Sequence, residues 1–213
     1  MKLLWELILR VIFPDSCIAC KTPDTPLCLK CLSKIEPAER EVQGVFVCYS
    51  YRDPIIRNAI WRLKYKNHRT LALPLSQTIA DFVIEELADQ ELFGNSSQVL
   101  VTAIPQSKKR TRDRGYNQSA LLAEGVAKKV GLIFSPKLLE KVRETARQVE
   151  MKNRQARIEN LKGAFHAREP EKVKGKTIII IDDVTTTGAT FAEARRALKS
   201  AGAKRIIACA LAH

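Results

Sequence analysis

No stretch of the sequence approaches the roughly 18 consecutive apolar residues that a membrane-spanning helix needs. Nor does it carry a basic start followed by an unbroken apolar region and a small-residue cleavage site, the pattern of a secretory leader. These two absences predict a cytoplasmic protein without stable membrane insertion. Internal repeats and low-complexity tracts are missing as well, which excludes stacked-repeat and disordered architectures. Acidic residues are scarce relative to basic ones, 23 against 36, so the 213-residue chain carries a net charge of +13. An excess of that size favours phosphorylated ligands, nucleic acid or an anionic membrane surface as partners.

What is present reads as one globular domain with a small appendage. The hydrophobic share of 46% and charged share of 28% suit a soluble folded chain. At the start, Leu3, Leu4, Leu7, Ile8, Val11 and Ile12 recur at helical spacing, with Lys2, Glu6 and Arg10 on the opposite face. This predicts an amphipathic helix, expected to dock onto its own protein rather than onto a membrane.

Four of the six cysteines fall as "CIACKTPDTPLCLKC", that is Cys17, Cys20, Cys28 and Cys31. Two CxxC turns can aim four sulfurs at one ion about 2.3 Å away, the arrangement of a closed, structural Zn²⁺ site. Two disulfides or a set of redox thiols are the alternatives, disfavoured in a chain without a secretory leader. The seven-residue spacer containing Pro23 and Pro26 suits a compact knuckle. Residues 1–44 are therefore assigned to an N-terminal helix and four-cysteine zinc-finger module, and 45–213 to a second domain.

From about residue 45 strand and helix signals alternate. "VFVCYSY" and "QVLVTAIP" read as strands, and "PIIRNAIWRLKY" and "TLALPLSQTIADFVIEEL" as helices. A basic loop over Gln106 to Gly115, with Lys108, Lys109, Arg110, Arg112 and Arg114, leads into a helix from about Asn117 to Val130. A charged, ambiguous segment from Leu138 to Leu161 precedes the strand Ile178 to Ile181, a helix stopped by Gly202, and the final strand "RIIACALA". Continuous apolar strands separated by amphipathic helices predict an α/β fold with a parallel sheet covered on both faces.

The stretch "IIIIDDVTTTGAT" carries the chemistry. A buried strand that ends in Asp182 and Asp183 puts two carboxylates at the sheet edge where open α/β folds bind ligands. The small residues that follow lead into a helix near Ala189, so backbone N–H groups and the helix N-terminus form a nest for a phosphate. Thr186, Thr187 and Thr190 add hydroxyl donors, and Gly188 permits close approach. A nucleotide-binding P-loop is excluded because Ala189 stands where its lysine belongs. A phosphoacceptor pocket of the response-regulator kind would need more βα units downstream than remain. Carboxylates beside a phosphate nest fit a sugar phosphate, whose hydroxyls and phosphate they would hold separately.

The same stretch resembles the phosphoribosyl pyrophosphate (PRPP) motif of type I phosphoribosyltransferases, and the chain as a whole resembles the ComF/GntX family of phosphoribosyltransferase-like proteins. The likeness rests on the four cysteines, "LKY" at Leu63 to Tyr65, "IP" followed by "RTRDRGYNQ", then Thr145, Gln148, Arg157, Asn160, "GAF" at Gly163 to Phe165, and "IDDVTTTGAT". It implies a type I phosphoribosyltransferase-like parallel sheet flanked by helices and preceded by the four-Cys module. Asp182, Asp183 and Arg114 are the implied catalytic residues. PRPP, with Mg²⁺, would contact Asp182, Asp183, Thr185, Thr186, Thr187, Gly188, Ala189 and Thr190, together with Arg114, Gly115, Tyr116 and Asn117 on the pyrophosphate loop. Residues 143–165 would be the mobile hood, with Lys152, Arg154 and Arg157 screening charge and Asn160 placing an acceptor. The implied reaction displaces pyrophosphate from PRPP with an acceptor that the sequence does not name. In 6-oxopurine transferases the position of Thr186 is an aspartate that exchanges a proton with the base, so hypoxanthine and guanine are disfavoured here. Tyr65 and Tyr116 are candidates to stack on an aromatic acceptor. The family's association with natural competence and DNA uptake adds single-stranded DNA and a competence helicase as candidate partners. It also supplies an alternative reading, a non-catalytic, PRPP-regulated nucleic-acid-binding factor.

Overall fold

The computed structural model describes residues 15–38, 41–89, 96–143 and 159–213. The amphipathic stretch at residues 2–12 and the positions Thr145, Gln148, Lys152, Arg154 and Arg157 lie outside them. Ile178 to Ile181 are all buried, because they form the middle of β7 (Thr177–Val184), the strand on which the sheet is built. β7 lies between two parallel neighbours, β3 (Val99–Ala103) and β8 (Arg205–Ala212). Beyond β3 comes β4 (Ile133–Phe134), and beyond β8 come β2 (Val45–Tyr49) and β1 (Glu41–Val42), giving the order β1-β2-β8-β7-β3-β4. Only β1 runs antiparallel to its neighbour, through the tight turn at Gln43 and Gly44, both at positive φ.

The period of two along β7 divides the core. Ile179 and Ile181 join one apolar cluster with α2 (Pro54–Tyr65), α3 (Ala72–Asp89) and α5 (Gln118–Val130). Ile178 and Ile180 face the other way, toward α7 (Ala189–Ser200) and the small antiparallel sheet of β5 (Leu139–Lys141) and β6 (Phe165–Ala167). A short helix, α6 (Pro170–Val173), links β6 to β7. Local chemistry sets the helix starts. The Asp53 carboxylate accepts from the N–H groups of Ile55 and Ile56 at 2.8 and 3.0 Å, with Pro54 at the first helical position of α2.

Two expectations change and one holds. The basic segment after β3 is a helix, α4 (Lys108–Arg114), and not a loop: Ser107 caps it by accepting from the Arg110 N–H, and Gly115 at φ 80° ends it. Asp182 and Asp183 stand at the end of β7 as the sequence suggests, with Val184 closing the strand one residue later. The ambiguous segment contributes β5 to the small sheet. The four-cysteine region, with its single turn α1 (Leu29–Leu32), packs onto the first cluster through Ile18, Leu27, Leu32 and Ile35. Among the described residues no helix is long and apolar enough to cross a membrane.

Candidate sugar-phosphate and metal sites

Asp182 and Asp183 separate by one pleat and acquire different partners. Asp183 is 4% exposed, and Lys64 on α2 brings its ammonium 3.0 Å from Asp183 Oδ2. At that distance Lys64 is a charge partner of Asp183 Oδ2, a carboxylate oxygen that still has capacity to accept from a ligand. Burial, the largest single influence, works to lower the Lys64 pKa, but the charge and hydrogen-bonding of Asp183 together with the Asp182 and Tyr65 charges outweigh it and hold the ammonium above its ordinary value. Asp182 accepts from the Ser119 hydroxyl at 2.6 Å and from the Asp183 N–H at 2.9 Å. Its pKa is nevertheless pushed up to about 7, first by burial and then by the neighbouring Asp183 charge. The pair thus gains from any added positive charge or hydroxyl donor, which is the condition a Mg²⁺-bound sugar phosphate satisfies.

The loop after β7 divides its donors. The Thr185 N–H is committed to the Ala212 carbonyl at 3.0 Å, and Thr185 is buried, so that residue anchors the loop to β8. His213 reaches the Thr186 carbonyl at 3.1 Å. α7 begins with Gly188 as its N-cap and has no side-chain cap, so the positive end of a twelve-residue helix opens toward the loop. Gly188 serves two requirements. Its φ is 69°, and a Cβ there would come within 2.9 Å of Gln43 Oε1 at the tip of the β1–β2 hairpin. The hairpin is tied down on the same helix, since the Arg195 guanidinium donates to the Gly44 carbonyl.

At the start of α5 the structure sorts the remaining candidates. Arg114 donates to Gln118 Oε1 and stands 5.3 Å over the Tyr65 ring. Gly115 makes the left-handed turn that exposes the backbone. Tyr116 is 8% exposed, donates its hydroxyl to the Leu63 carbonyl and lies under the Arg69 guanidinium at 4.4 Å, so its ring anchors the turn and is closed to an acceptor. The Asn117 amide is used twice within the protein, donating to the Ile104 carbonyl at 2.9 Å and accepting from the Ser119 N–H at 3.0 Å. The backbone carbonyl of Asn160 accepts from the Arg143 guanidinium at 2.8 Å. Sequence reasoning missed Lys64, Ser119 and Gln43. Lys64 stood inside the quoted "LKY", but its approach to Asp183 comes from the packing of α2 on the sheet, which no local pattern encodes.

Cys17, Cys20, Cys28 and Cys31 come together as the spacing suggested, with all four sulfurs within 4.8 Å of one another. Cys20 and Cys28 sulfurs are 3.5 Å apart, and the Cys28 N–H points at the Cys17 sulfur from 3.5 Å. The Thr22 hydroxyl holds the Cys20 thiol down at about 6, whereas Cys31 is pushed up to about 12 by the Cys20 sulfur and by burial. Four thiols this close cannot all ionise unless a cation sits among them, so the donor set fits a metal ion.

The strand with its paired carboxylates and the hydroxyl loop after it lie in a stretch that one known family shares. A family model described as "Phosphoribosyl transferase domain" matches residues 117–213, the part that carries β7 and its loop, which puts this chain among the phosphoribosyltransferase-like proteins. Over 184 residues it is 31% identical to the DNA utilization protein YhgH of Salmonella typhimurium, covering 86% of this chain and 76% of that protein. Over 132 residues it is 34% identical to the competence protein ComFC of Streptococcus pneumoniae, covering 62% of this chain and 53% of that one. A stretch of 39 residues, 18% of this chain, is 56% identical to 12% of the ribose-phosphate pyrophosphokinase of Prochlorococcus marinus. The chain belongs to the ComF/GntX family of phosphoribosyltransferase-like proteins.

Proposed function

We propose that this protein binds PRPP with Mg²⁺ at the carboxyl end of β7 and transfers its phosphoribosyl group to an acceptor in DNA handling. One observation carries the reading: the carboxylates of Asp182 and Asp183 are separated only by a short hydroxyl loop from the uncapped N-terminus of α7. That spacing suits a ligand with vicinal hydroxyls at one end and a 5′-phosphate at the other. Thr186, Thr187, Gly188, Ala189 and Thr190 would hold the phosphate through backbone and hydroxyl donors. Asp182 and Asp183 would accept from the ribose hydroxyls, and Arg114 with the Gly115 turn would grip the pyrophosphate. Mg²⁺, when bound, supplies charge neutralisation between pyrophosphate and ribose. The C1–O bond to pyrophosphate breaks as the acceptor's nucleophilic atom bonds to C1, and the acceptor gives up its proton. The developing positive charge at C1 is met by the two carboxylates, and no covalent nucleophile is needed. The four-cysteine module holds a structural Zn²⁺ in this reading. The names of the curated relatives, DNA utilization and competence, support attaching the activity to DNA.

Calorimetry with PRPP and Mg²⁺ tests the binding. Asp183→Asn keeps shape and removes charge, and should weaken PRPP by about 1.5 to 3 kcal/mol per charge-assisted bond lost. Thr187→Val should weaken PRPP and ribose 5-phosphate equally. If both Asp182→Asn and Asp183→Asn bind PRPP like the parent, the site is not a sugar-phosphate site. A pyrophosphate-release screen over candidate acceptors then separates a transferase from a PRPP-regulated binder.

A further inference from the structure

The outward face of α2 meets the site just described only where Arg114 lies over Tyr65. Between Asp53 and Asp81 the chain carries no acidic residue, yet it carries Arg57, Arg62, Lys64, Lys66 and Arg69. Trp61 and Tyr65, one helical turn apart, stand in this basic field 45% and 65% exposed. Their ring centroids are 6.4 Å apart with planes tilted by 50°. Cations rest on both rings: Lys66 lies 5.1 Å from the Trp61 centroid and Arg114 lies 5.3 Å from that of Tyr65. Arg114 closes α4, whose Lys109, Arg110 and Arg112 are exposed, so the aromatic step continues into a second basic helix.

Exposed aromatics of this size are costly to leave in water unless something covers them. An apolar protein surface would fit poorly, because covering the rings would also strip water from the cations laid over them and leave those charges unpaired. A single nucleic-acid strand matches both features at once: unpaired bases offer flat faces to the rings and each nucleotide brings a phosphate to the cations. Duplex bases are already stacked and cannot do so. The shelf is open and made by one helix surface, which suits a continuous strand better than a small free base. We propose that Trp61 and Tyr65 form a stacking platform for successive unpaired bases of single-stranded DNA, with the cations of α2 and α4 tracking its phosphates. This rests on the nucleic-acid partner proposed above and adds where the strand lies. Lys64, on the same turn, reaches inward to Asp183, so the strand would pass beside the sugar-phosphate site.

The test uses the full chain and a fluorescein-labelled oligothymidylate, with binding followed by anisotropy at several salt concentrations. Trp61→Ala and Tyr65→Ala should each weaken binding roughly tenfold or more while leaving the salt slope unchanged. Tyr65→Phe keeps the ring and should bind like the parent. Replacing Lys109, Arg110 and Arg112 by Ala should instead flatten the salt slope. A duplex of the same length should bind more weakly and be indifferent to Trp61→Ala. If the parent binds the strand but both aromatic variants bind equally well, or if the duplex competes as well as the strand, the platform is refuted while the DNA partner stands. If the parent binds no strand at low salt, the DNA partner itself is refuted. Tight binding of free thymine lost in Tyr65→Ala, without strand binding, would likewise overturn the proposal in favour of a small-base site.

Discussion

Asp182 is a carboxyl that the folded protein prefers to keep protonated until about neutral pH, because burial and the Asp183 charge both oppose its ionisation. In the unfolded chain it ionises near pH 4. Between those values the folded state therefore binds more protons than the unfolded state, and the stability this group contributes is present at low pH and lost as pH rises toward 7. Asp182→Asn removes the decline. Thermal or urea unfolding of the two proteins should converge near pH 4 and diverge by pH 8, with the variant more stable by about 2 kcal/mol. Lys64 beside Asp183 and Ser119 beside Asp182 are the groups facing the pair, and neither changes charge over that range unless the lysine is displaced. PRPP affinity should move the other way, strengthening from pH 6 to 8 as Asp182 becomes the ionised acceptor that ribose hydroxyls need. A pH-independent difference in stability between parent and Asp182→Asn would show that the carboxyl is already ionised at pH 6.

Among the elements, α3 and α5 cross so closely that Gly125 has no room for a side chain. A Cβ there would lie 2.2 Å from Ser76 Oγ and 2.7 Å from Ser76 Cβ, and Ser76 is fixed by donating to the Leu73 carbonyl at 2.8 Å. Gly125→Ala should gain up to about 1 kcal/mol in helix propensity but lose about 1 to 3 kcal/mol to overpacking. The urea midpoint should fall, and Ser76→Gly in the same chain should restore part of it; an unchanged midpoint would mean the helices separate without cost. The sequence displays Gly125 only as a glycine inside a helical pattern, since its reason lies 49 residues away in Ser76. What periodicity could reveal, it did: the four isoleucines of β7, the run of β8, and the apolar faces of α2 and α5 follow from one-dimensional spacing alone. α4 was hidden because "KKRTRDR" has no apolar face, leaving only the Ser107 cap and the Gly115 stop as local marks. β5 and β6, three residues each, are too short to show a period of two. In the proposed site the carboxylates, Gly188 and the basic turn are proposed from type and order alone. Lys64 and Gln43 reach it through packing, and Tyr116 and Asn117 proved to be anchors through contacts that no motif prints.

At the scale of the whole molecule, the four-cysteine region and the sheet share one apolar cluster. Cys17, Leu27, Cys31, Leu32 and Ile35 are buried in the same cluster as Ile56, Ile60 and Leu63 of α2 and Ile179 and Ile181 of β7. Between them runs the hairpin of β1 and β2, stitched by the Ala38 N–H to the Cys48 carbonyl at 3.0 Å. Its tip, Gln43, lies against Gly188 in the loop after β7. A metal that fixes the four sulfurs therefore fixes part of the core and, through the hairpin, one wall of the loop. About one Zn²⁺ per chain is expected by elemental analysis. Stripping it with a chelator, or Cys28→Ser, should lower the melting temperature of a single cooperative transition by roughly 5 °C or more. PRPP affinity should weaken alongside, although no cysteine stands in the proposed sugar-phosphate site. Were residues 15–38 an independent module, the metal-free protein would instead show a separate low-temperature transition and bind PRPP like the parent. That result would reduce the hairpin to a tether and leave the loop after β7 supported by β8 and α7 alone.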